Sequence, residues 1–226
     1  MFTLLVIATR NKNKLKEFQE ILKDLDIEIL SLDDFGPIPE VIEDGETFEE
    51  NAYKKALHTA KILGIPALAD DSGLAVEALS GRPGVYSARY AGEHASDEEN
   101  CNKLLLELAE ENNRNAYFQC VLSLAVPSGP ALTYIGRCNG KIINDKRGNN
   151  GFGYDPIFYF DQLGKTFAEL TMEEKSRVSH RGKALMEVKN ELKSIKKWIE
   201  NRLAEEQPAK PDHNEFKNKD WSDEVC

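Results

Sequence analysis

The chain has 226 residues, of which 41% are hydrophobic and 30% are charged, and its formal net charge is −10. This length and apolar content are sufficient for a substantial hydrophobic core in one large or bilobed domain. The acidic balance argues against binding long nucleic acid, which needs a basic surface, and no apolar run approaches the roughly 20 residues that span a membrane.

The first predicted elements are a strand, a polar loop and a helix. Residues 3–8 form an apolar run that lacks the basic segment and cleavage site of a secretion signal, so we expect a buried strand. The loop reads Thr9-Arg10-Asn11-Lys12-Asn13-Lys14, and apolar residues at helical spacing follow it. Because the first turn of a helix offers unpaired N–H groups, this loop is a candidate phosphate site. The alternative is a capped helix with solvated lysines.

A second helix is predicted after Thr47, where a capping-box pattern ends at Glu50. Residues 65–69 then indicate a buried strand that ends at Asp70-Asp71. Adjacent aspartates at a strand end repel each other, so a cation is expected there, and Mg²⁺ prefers carboxylate and phosphate oxygens. Glu43 and Asp44, which precede the second helix, are further candidate ligands, and the sequence does not choose between them. The alternative for the aspartate pair is a polar turn.

Further along, Ser96 begins another capping box, and residues 117–126 and 132–138 predict two strands joined as a hairpin. Residues 149–156 are rich in glycine and asparagine and predict a loop. Glycines flank Phe152, so its ring can lie against a nucleobase, and Asp155 can accept hydrogen bonds from one. The alternative is a surface loop that places a phenylalanine in the core.

The final predicted helix spans residues 179–203. Lys175 can reach a phosphate, and His180 and Arg181 can donate hydrogen bonds to an oxo group, although such residues more often cap a helix. Residues 204–226 are acidic and poor in apolar residues, which indicates a disordered tail after a domain of residues 1–203. The four cysteines show no CxxC spacing, as expected of free thiols in the reducing cytoplasm.

Each motif is weak alone, but their order is distinctive. The chain resembles the inosine triphosphate pyrophosphatase family, the house-cleaning purine nucleotide pyrophosphatases, over residues 3 to about 200. The resemblance is carried by six blocks, in this order: Thr9-x-Asn11-x-x-Lys14, Gly45-x-Thr47-Phe48-x-x-Asn51-Ala52, Ala69-Asp70-Asp71-Ser72-Gly73-Leu74, Pro83-Gly84-Val85-Tyr86-Ser87-Ala88-Arg89-Tyr90, Gly151-Phe152-Gly153-Tyr154-Asp155-Pro156 and Ser179-His180-Arg181.

This resemblance implies an α/β fold in which a long central mixed sheet with flanking helices forms two lobes around a deep substrate cleft. It also implies a homodimer, bound Mg²⁺, and hydrolysis of ITP, dITP and XTP to the monophosphate and pyrophosphate. Such an enzyme would remove deaminated purines from the nucleotide pool and so protect DNA and RNA.

The resemblance also assigns roles by position. Asp71 would be the general base and, with Glu43, a metal ligand. Substrate contacts would come from Thr9, Arg10, Asn11, Lys12, Asn13, Lys14, Lys55, Ser72, Phe152, Gly153, Tyr154, Asp155, Lys175, His180 and Arg181. The chain departs from the family at Arg10, where glycine is usual, and residues 204–226 have no evident family counterpart.

Three rival functions are weaker. A pyrophosphatase for methylated or pyrimidine nucleotides is disfavoured by the His180-Arg181 pair and the loop from Phe152 to Asp155. A regulator that senses nucleotides without hydrolysis need not retain Asp71 and Lys14. A dinucleotide-binding fold would carry GxGxxG after the first strand, and this chain does not.

Overall fold

The structure is a computed structural model, and it describes residues 4–25, 27–36 and 38–205. Its strands are β1 (Leu4–Ile7), β2 (Glu28–Ser31), β3 (Ala67–Val76), β4 (Asn115–Ala125), β5 (Ala131–Ile142), β6 (Phe158–Phe160) and β7 (Lys165–Thr166). Its helices are α1 (Lys12–Leu22), α2 (Phe48–Leu63), α3 (Asp97–Glu107), α4 (Met172–Val178) and α5 (His180–Glu205). No described helix is both long and apolar enough to cross a membrane.

The described strands form one mixed sheet of seven, in the order β2-β1-β3-β4-β5-β6-β7. β1 pairs in parallel with β2 and β3, whereas all pairs from β3 to β7 are antiparallel. The fold therefore matches the predicted α/β class with a long central mixed sheet.

The helices begin where their capping residues predict. Thr47 accepts a hydrogen bond from the Glu50 N–H at the start of α2, and Gly64 ends this helix in a left-handed conformation (φ 69°). Ser96 and Glu99 form a reciprocal capping box at α3. These side chains satisfy N–H groups that have no partner within the helix, which fixes where each helix begins.

β3 is longer than the sequence predicted and passes through the polar motif. β1 pairs with β3 only as far as Leu68, but β4 remains paired with β3 from Ala67 to Val76. The expectation that Asp70 and Asp71 end a strand was therefore wrong. They lie in its middle, beside the place where the neighbouring strand β1 has ended.

Three hydrophobic clusters surround this polar segment. Leu68 belongs to the cluster beneath α1 and α5, and Ala67 and Ala69 belong to the cluster beneath α2. Leu74 and Val76 belong to a third cluster around α3, β6 and the far end of β4. Residues 70–73 thus separate the cores at the two ends of β3, and a cleft opens there.

Two sequence expectations concern the chain ends and the thiols. α5 continues to Glu205, two residues past the predicted domain boundary, and the rest of the expected 204–226 tail lies outside the described residues. Cys101, Cys120 and Cys138 are free and buried. Cys226 also lies outside the described residues.

Candidate active site

The cleft beside the centre of β3 has a volume of about 430 Å³, within the usual size of small-molecule sites. Its wall includes most of the residues implied by the resemblance: Thr9, Arg10, Asn11, Lys14, Glu43, Lys55, Asp71, Ser72, Phe152, Gly153, Tyr154, Asp155, Lys175, His180 and Arg181. Lys12 and Asn13 are exposed in the first turn of α1 and are not part of this wall.

Asp70 and Asp71 point in opposite directions. Successive side chains of a strand alternate between its faces, so two adjacent residues of β3 cannot share one side. The carboxylate of Asp71 meets α2, whereas that of Asp70 meets α1 and α5. The expected repulsion between two carboxylates at one site is therefore relieved by geometry, and each acid has its own cations.

On the α2 side, Lys55 joins two carboxylates. Its Nζ lies 3.0 Å from Asp71 Oδ1 and 2.9 Å from Glu43 Oε2. Burial raises the pKa of Asp71 above its usual value, although the positive charge of Lys55 acts in the opposite direction. Asp44 instead pairs with Lys54 and is exposed, so Glu43 is the carboxylate that reaches the cleft.

On the opposite side, Asp70 is almost fully buried and lies among cations. Lys14 Nζ is 3.1 Å from Asp70 Oδ1, and Nη2 of Arg181 is 2.8 Å from Asp70 Oδ2. Ser72 donates to the same Oδ2 at 2.6 Å. Burial alone would raise the pKa of Asp70, but Lys14 and Arg181 hold it far below the usual aspartate value.

Glu17 connects this cluster to Lys175. The two oxygens of the buried Glu17 carboxylate contact Lys175 Nζ, at 2.9 Å, and Arg181 Nη1. Lys175 also lies 2.5 Å from Asp155 Oδ2. Burial would lower the pKa of Lys175, but these two carboxylates raise it. Both cations are therefore charged and held in fixed positions.

The aromatic ring of Phe152 lies beside these two cations. Lys175 Nζ is 4.8 Å from the ring centroid and the Arg181 guanidinium carbon is 5.9 Å from it. The loop is fixed internally because Asp155 Oδ2 accepts from the Phe152 N–H at 2.9 Å. Gly151 has φ 75°, and a β-carbon there would lie 2.0 Å from Asp155 Oδ2, so glycine is required.

Gly153 and Tyr154 attach this loop to neighbouring segments. The Gly153 N–H donates to Asp97 Oδ2 at 2.7 Å, at the start of α3. The Tyr154 hydroxyl donates to the Ser87 carbonyl at 2.9 Å, in the short helical turn of Gly84–Arg89. The loop is therefore held between α3 and that turn.

The first turn of α5 rests directly on the sheet. Ser179 accepts from the Gly182 N–H at 3.0 Å, and a β-carbon on Gly136 of β5 would lie 2.0 Å from the His180 carbonyl oxygen. The His180 ring stacks on Phe118, with centroids 4.7 Å apart. Burial holds the pKa of His180 well below its usual value, so the imidazole is neutral.

Several N–H groups of the loop before α1 and of the first turn of α1 already donate to side chains of the same loop. Asn11 Oδ1 accepts from the N–H groups of Asn13 and Lys14 at 2.9 and 3.1 Å, so these two donors are already used. Arg10, where the family usually has glycine, donates to the Ile38 carbonyl and lies 3.6 Å from Glu40. The phosphate-binding capacity of this segment therefore depends mainly on the Lys14 side chain.

Sequence reasoning missed several polar residues near the site, among them Glu17, Asn51 and Asp97. Glu17 is a charged residue on the apolar face of α1, one position before Phe18, and this misplaced charge was a usable signal. Asn51 and Asp97 lie in the first turns of α2 and α3, where polar residues are ordinary.

The donor groups of the cleft suit a hard cation only in part. Among residues 4–25, 27–36 and 38–205, no group of three or more His, Cys, Asp or Glu side chains is arranged to hold a metal. Glu43 and Asp71 nevertheless each lie within 3.0 Å of one ammonium, so their oxygens converge. Mg²⁺ commonly uses one or two carboxylates together with substrate phosphates, and this pair fits that pattern.

Comparison with known proteins is consistent with this geometry. A family model described as the Ham1 family matches residues 5–191. A protein named dITP/XTP pyrophosphatase from Desulfotalea psychrophila is 68% identical over 222 residues, 98% of this chain and 100% of that protein. A protein of the same name from Syntrophobacter fumaroxidans is 60% identical over 203 residues, 90% of this chain and 88% of that protein.

Solved structures give the same result. The HAM1 protein of Coxiella burnetii superposes with a TM-score of 0.79 at 45% identity, covering 85% of this chain and 100% of that one. The Staphylococcus aureus Ham1 protein gives 0.77 at 44% identity, covering 85% and 99%. The family model ends before residues 204–226, but the Desulfotalea alignment omits only four residues of this chain, so most of that segment has a counterpart in this relative. The chain belongs to the Ham1 family.

Proposed function

We propose that the protein hydrolyses the triphosphates of deaminated purine nucleosides, ITP, dITP and XTP, to the monophosphate and pyrophosphate. The observation that carries this proposal is that one cleft contains both a pair of carboxylates that could hold a metal ion and a cation–aromatic group that could bind a nucleobase. Lys55 holds Glu43 and Asp71 together on one side of β3, and Lys175 and Arg181 lie beside an aromatic ring on the other. The names of the relatives from Desulfotalea and Syntrophobacter support this substrate class.

The reaction needs an activated water. The water oxygen attacks the α-phosphorus, the bond from that phosphorus to the bridging oxygen breaks, and pyrophosphate leaves with the bonding electrons. Asp71 takes the proton from the water. Its buried position suits this role, because a carboxylate whose pKa is raised is a stronger base.

The phosphates would lie across the cations of the cleft. Lys55 lines it beside Asp71 and Lys14 lines it beside Asp70, and both ammonium groups would hold the phosphates in line for attack. Glu43 and Asp71 would hold Mg²⁺. When bound, this ion supplies positive charge to the phosphate oxygens and to the leaving pyrophosphate.

The nucleobase would be selected by those N–H groups of Lys175 and Arg181 that are not directed at a protein acceptor. An ammonium has three N–H groups and a guanidinium five. Two donors of Lys175 are directed at Glu17 and Asp155, and four contacts of Arg181 go to Glu17, Asp70 and Ser72. Each cation thus keeps one N–H for a ligand. A 6-oxo group can accept from these donors, whereas the 6-amino group of adenine leaves them unpaired.

Phe152 and His180 complete the base end. Stacking on an aromatic ring contributes roughly 1–3 kcal/mol per base in comparable sites. The neutral imidazole of His180 can accept as well as donate a hydrogen bond. GTP shares the 6-oxo group, so its rejection must depend on its 2-amino group, and the 2-oxo group of XTP must fit in the same place.

A substrate panel tests the proposal. ITP, dITP, XTP, GTP, ATP and dUTP are incubated with the protein in Mg²⁺ or in EDTA, and pyrophosphate and orthophosphate are measured separately. We expect pyrophosphate from the first three, only in Mg²⁺. Release of orthophosphate, or equal rates with ATP, would contradict the proposal.

The homodimer implied by the family resemblance and the cytoplasmic location expected from the cysteines are part of the same proposal. Light scattering at several protein concentrations tests the dimer, and a monomer at all of them would contradict it. Nucleic acid and membranes are not expected partners of a chain with a net charge of −10.

A further inference from the structure

Asn51 is a buried polar residue that the proposed reaction does not use. It projects from the first turn of α2 and is 1% exposed. Its Oδ1 accepts from the Gly45 N–H at 2.8 Å, and its Nδ2 lies 3.3 Å from the Gly45 carbonyl oxygen. The same Nδ2 lies 3.4 Å from Asp71 Oδ2. One amide therefore contacts both the backbone before α2 and the carboxylate proposed as the base.

The contact with Gly45 is a two-point clamp. Both backbone polar groups of one residue are held by one planar side chain, so the orientation of that residue is fixed. A β-carbon on Gly45 would lie 2.6 Å from Asn51 Oδ1 and 2.8 Å from Glu50 Cβ. The clamp therefore requires glycine at position 45, two residues after Glu43.

Lys55 lies one helical turn after Asn51, on the same face of α2. It binds Asp71 Oδ1, whereas Asn51 approaches Asp71 Oδ2. It also binds the Glu43 carboxylate, whereas Asn51 binds the backbone at Gly45. The two residues thus connect the same two partners, Asp71 and the segment that carries Glu43, at different atoms.

We propose that Asn51 is a positioning residue that holds Glu43 at a fixed distance from Asp71, so that the two carboxylates can share a metal–nucleotide complex. This inference rests on the proposed function.

Charge explains why Lys55 alone is insufficient. An ammonium is a compact charge on a flexible stem, so it fixes the direction of its partners weakly. When a triphosphate enters, its oxygens compete with Glu43 and Asp71 for the charge of Lys55. The amide of Asn51 is neutral and buried, so it keeps its contacts with Gly45 and Asp71 while the charges rearrange.

Two variants break the clamp from opposite sides. Asn51→Ala removes the amide. Gly45→Ala displaces the Asn51 amide with the added β-carbon and changes no side chain of α2. Asn100→Ala is the matched control, because Asn100 is also buried and clamps backbone, accepting from Ala91 N–H at 2.8 Å and donating to the Ala88 carbonyl at 3.1 Å. Each protein is saturated with α,β-methylene ITP, and its Mg²⁺ affinity is then measured by calorimetry. The kcat and KM for ITP and the melting temperature are measured in parallel.

We expect both clamp variants to weaken Mg²⁺ binding by roughly 10- to 100-fold, the usual cost of losing a residue that orients metal ligands. The fall in activity should appear mainly in kcat, and binding of the analogue in EDTA should be unchanged. Asn100→Ala should lower the melting temperature and leave Mg²⁺ affinity unchanged.

Mg²⁺ affinity like that of wild type in a folded clamp variant would overturn the inference, whatever its melting temperature. If Asn51→Ala does not fold, Gly45→Ala decides alone. Failure of the proposed function would look different, because it would appear in the wild-type protein. That protein would release no pyrophosphate from ITP, or would bind no Mg²⁺ when saturated with α,β-methylene ITP.

Discussion

The carboxylates of Asp70 and Asp71, adjacent in the chain, project from opposite faces of β3 and meet different cations. Asp70 lies between Lys14 and Arg181, the cations proposed for the phosphates and the nucleobase, whereas Asp71 lies with Lys55 and Glu43 at the proposed metal site. Two residues of the same type can therefore be assigned separate roles, and substitution can distinguish them.

Asp71→Asn should remove the proposed base while keeping the shape of the site. We expect kcat to fall by roughly 10²- to 10⁴-fold, the usual contribution of general acid–base catalysis, with ITP still bound. Single-turnover kinetics and calorimetry with ITP measure the two effects. A variant that binds ITP and turns it over at near the wild-type rate would show that Asp71 is not the base.

Asp70→Asn is the matched comparison and should act mainly on stability. It removes one of the two carboxylates that pair with the buried Arg181, and breaking a buried ion pair typically costs about 3–5 kcal/mol. Urea unfolding measures the change. A loss of turnover without any loss of stability would contradict the assignment of Asp70 to a supporting role.

Glu17→Gln should loosen both Lys175 and Arg181, because one carboxylate holds the two cations. We expect a loss of stability of about 3 kcal/mol, within the range for a broken buried ion pair, and a smaller preference for ITP over ATP. Glu20→Gln is the control on the same helix, since Glu20 pairs with Lys23 at the surface. Unchanged selectivity in a folded Glu17→Gln protein would mean that the two cations do not depend on Glu17.

The buried His180 should make stability depend on pH. Its pKa is lowered in the folded state, so below the ordinary histidine pKa of about 6.5 the unfolded chain binds a proton that the native protein does not. The free energy of unfolding is therefore unaffected by His180 above that pH. It falls as the pH is lowered further, by up to about 1.4 kcal/mol per pH unit. Urea unfolding between pH 8 and pH 5 measures the slope. His180→Gln should flatten it, and an equal slope in that variant would contradict the account.

Gly136→Ala should displace the start of α5 from the sheet, because the added carbon would lie 2.0 Å from the His180 carbonyl oxygen and 2.7 Å from the Ala184 nitrogen. Both are backbone atoms, so neither can rotate away. We expect lower stability and a higher KM for ITP, measured by thermal unfolding and steady-state kinetics. A KM like that of wild type would show that α5 can shift without disturbing the base end.

Local signals predicted the parts of the fold that local chemistry decides. Thr47 and Ser96 located the starts of α2 and α3, because a capping side chain acts on N–H groups within three residues. The short helix α4 carries the same signal at Thr171 and Glu174, and it was overlooked. The half-buried edge strand β2 does not alternate between buried and exposed side chains, so its sequence did not predict a strand.

The missed features depend on distant partners. β3 appeared to end at Asp70 because polar residues interrupt its apolar run, but its pairing with β4 continues for six further residues, to Val76. The role of Glu17 depends on Arg181, 164 positions away in the chain. Ordinary patterns within a short window cannot report such contacts, whereas the order of the motifs along the chain identified the family correctly.

The alternation of β3 also restricts how this chain can vary. A shift of one residue in a strand moves every side chain to the other face. A single inserted residue between Ala69 and Asp70 would move both carboxylates to the other face of β3, so both would lose their cations at once. Length changes among homologues should therefore fall in the connecting loops, and the spacing from Ala69 to Leu74 should be constant.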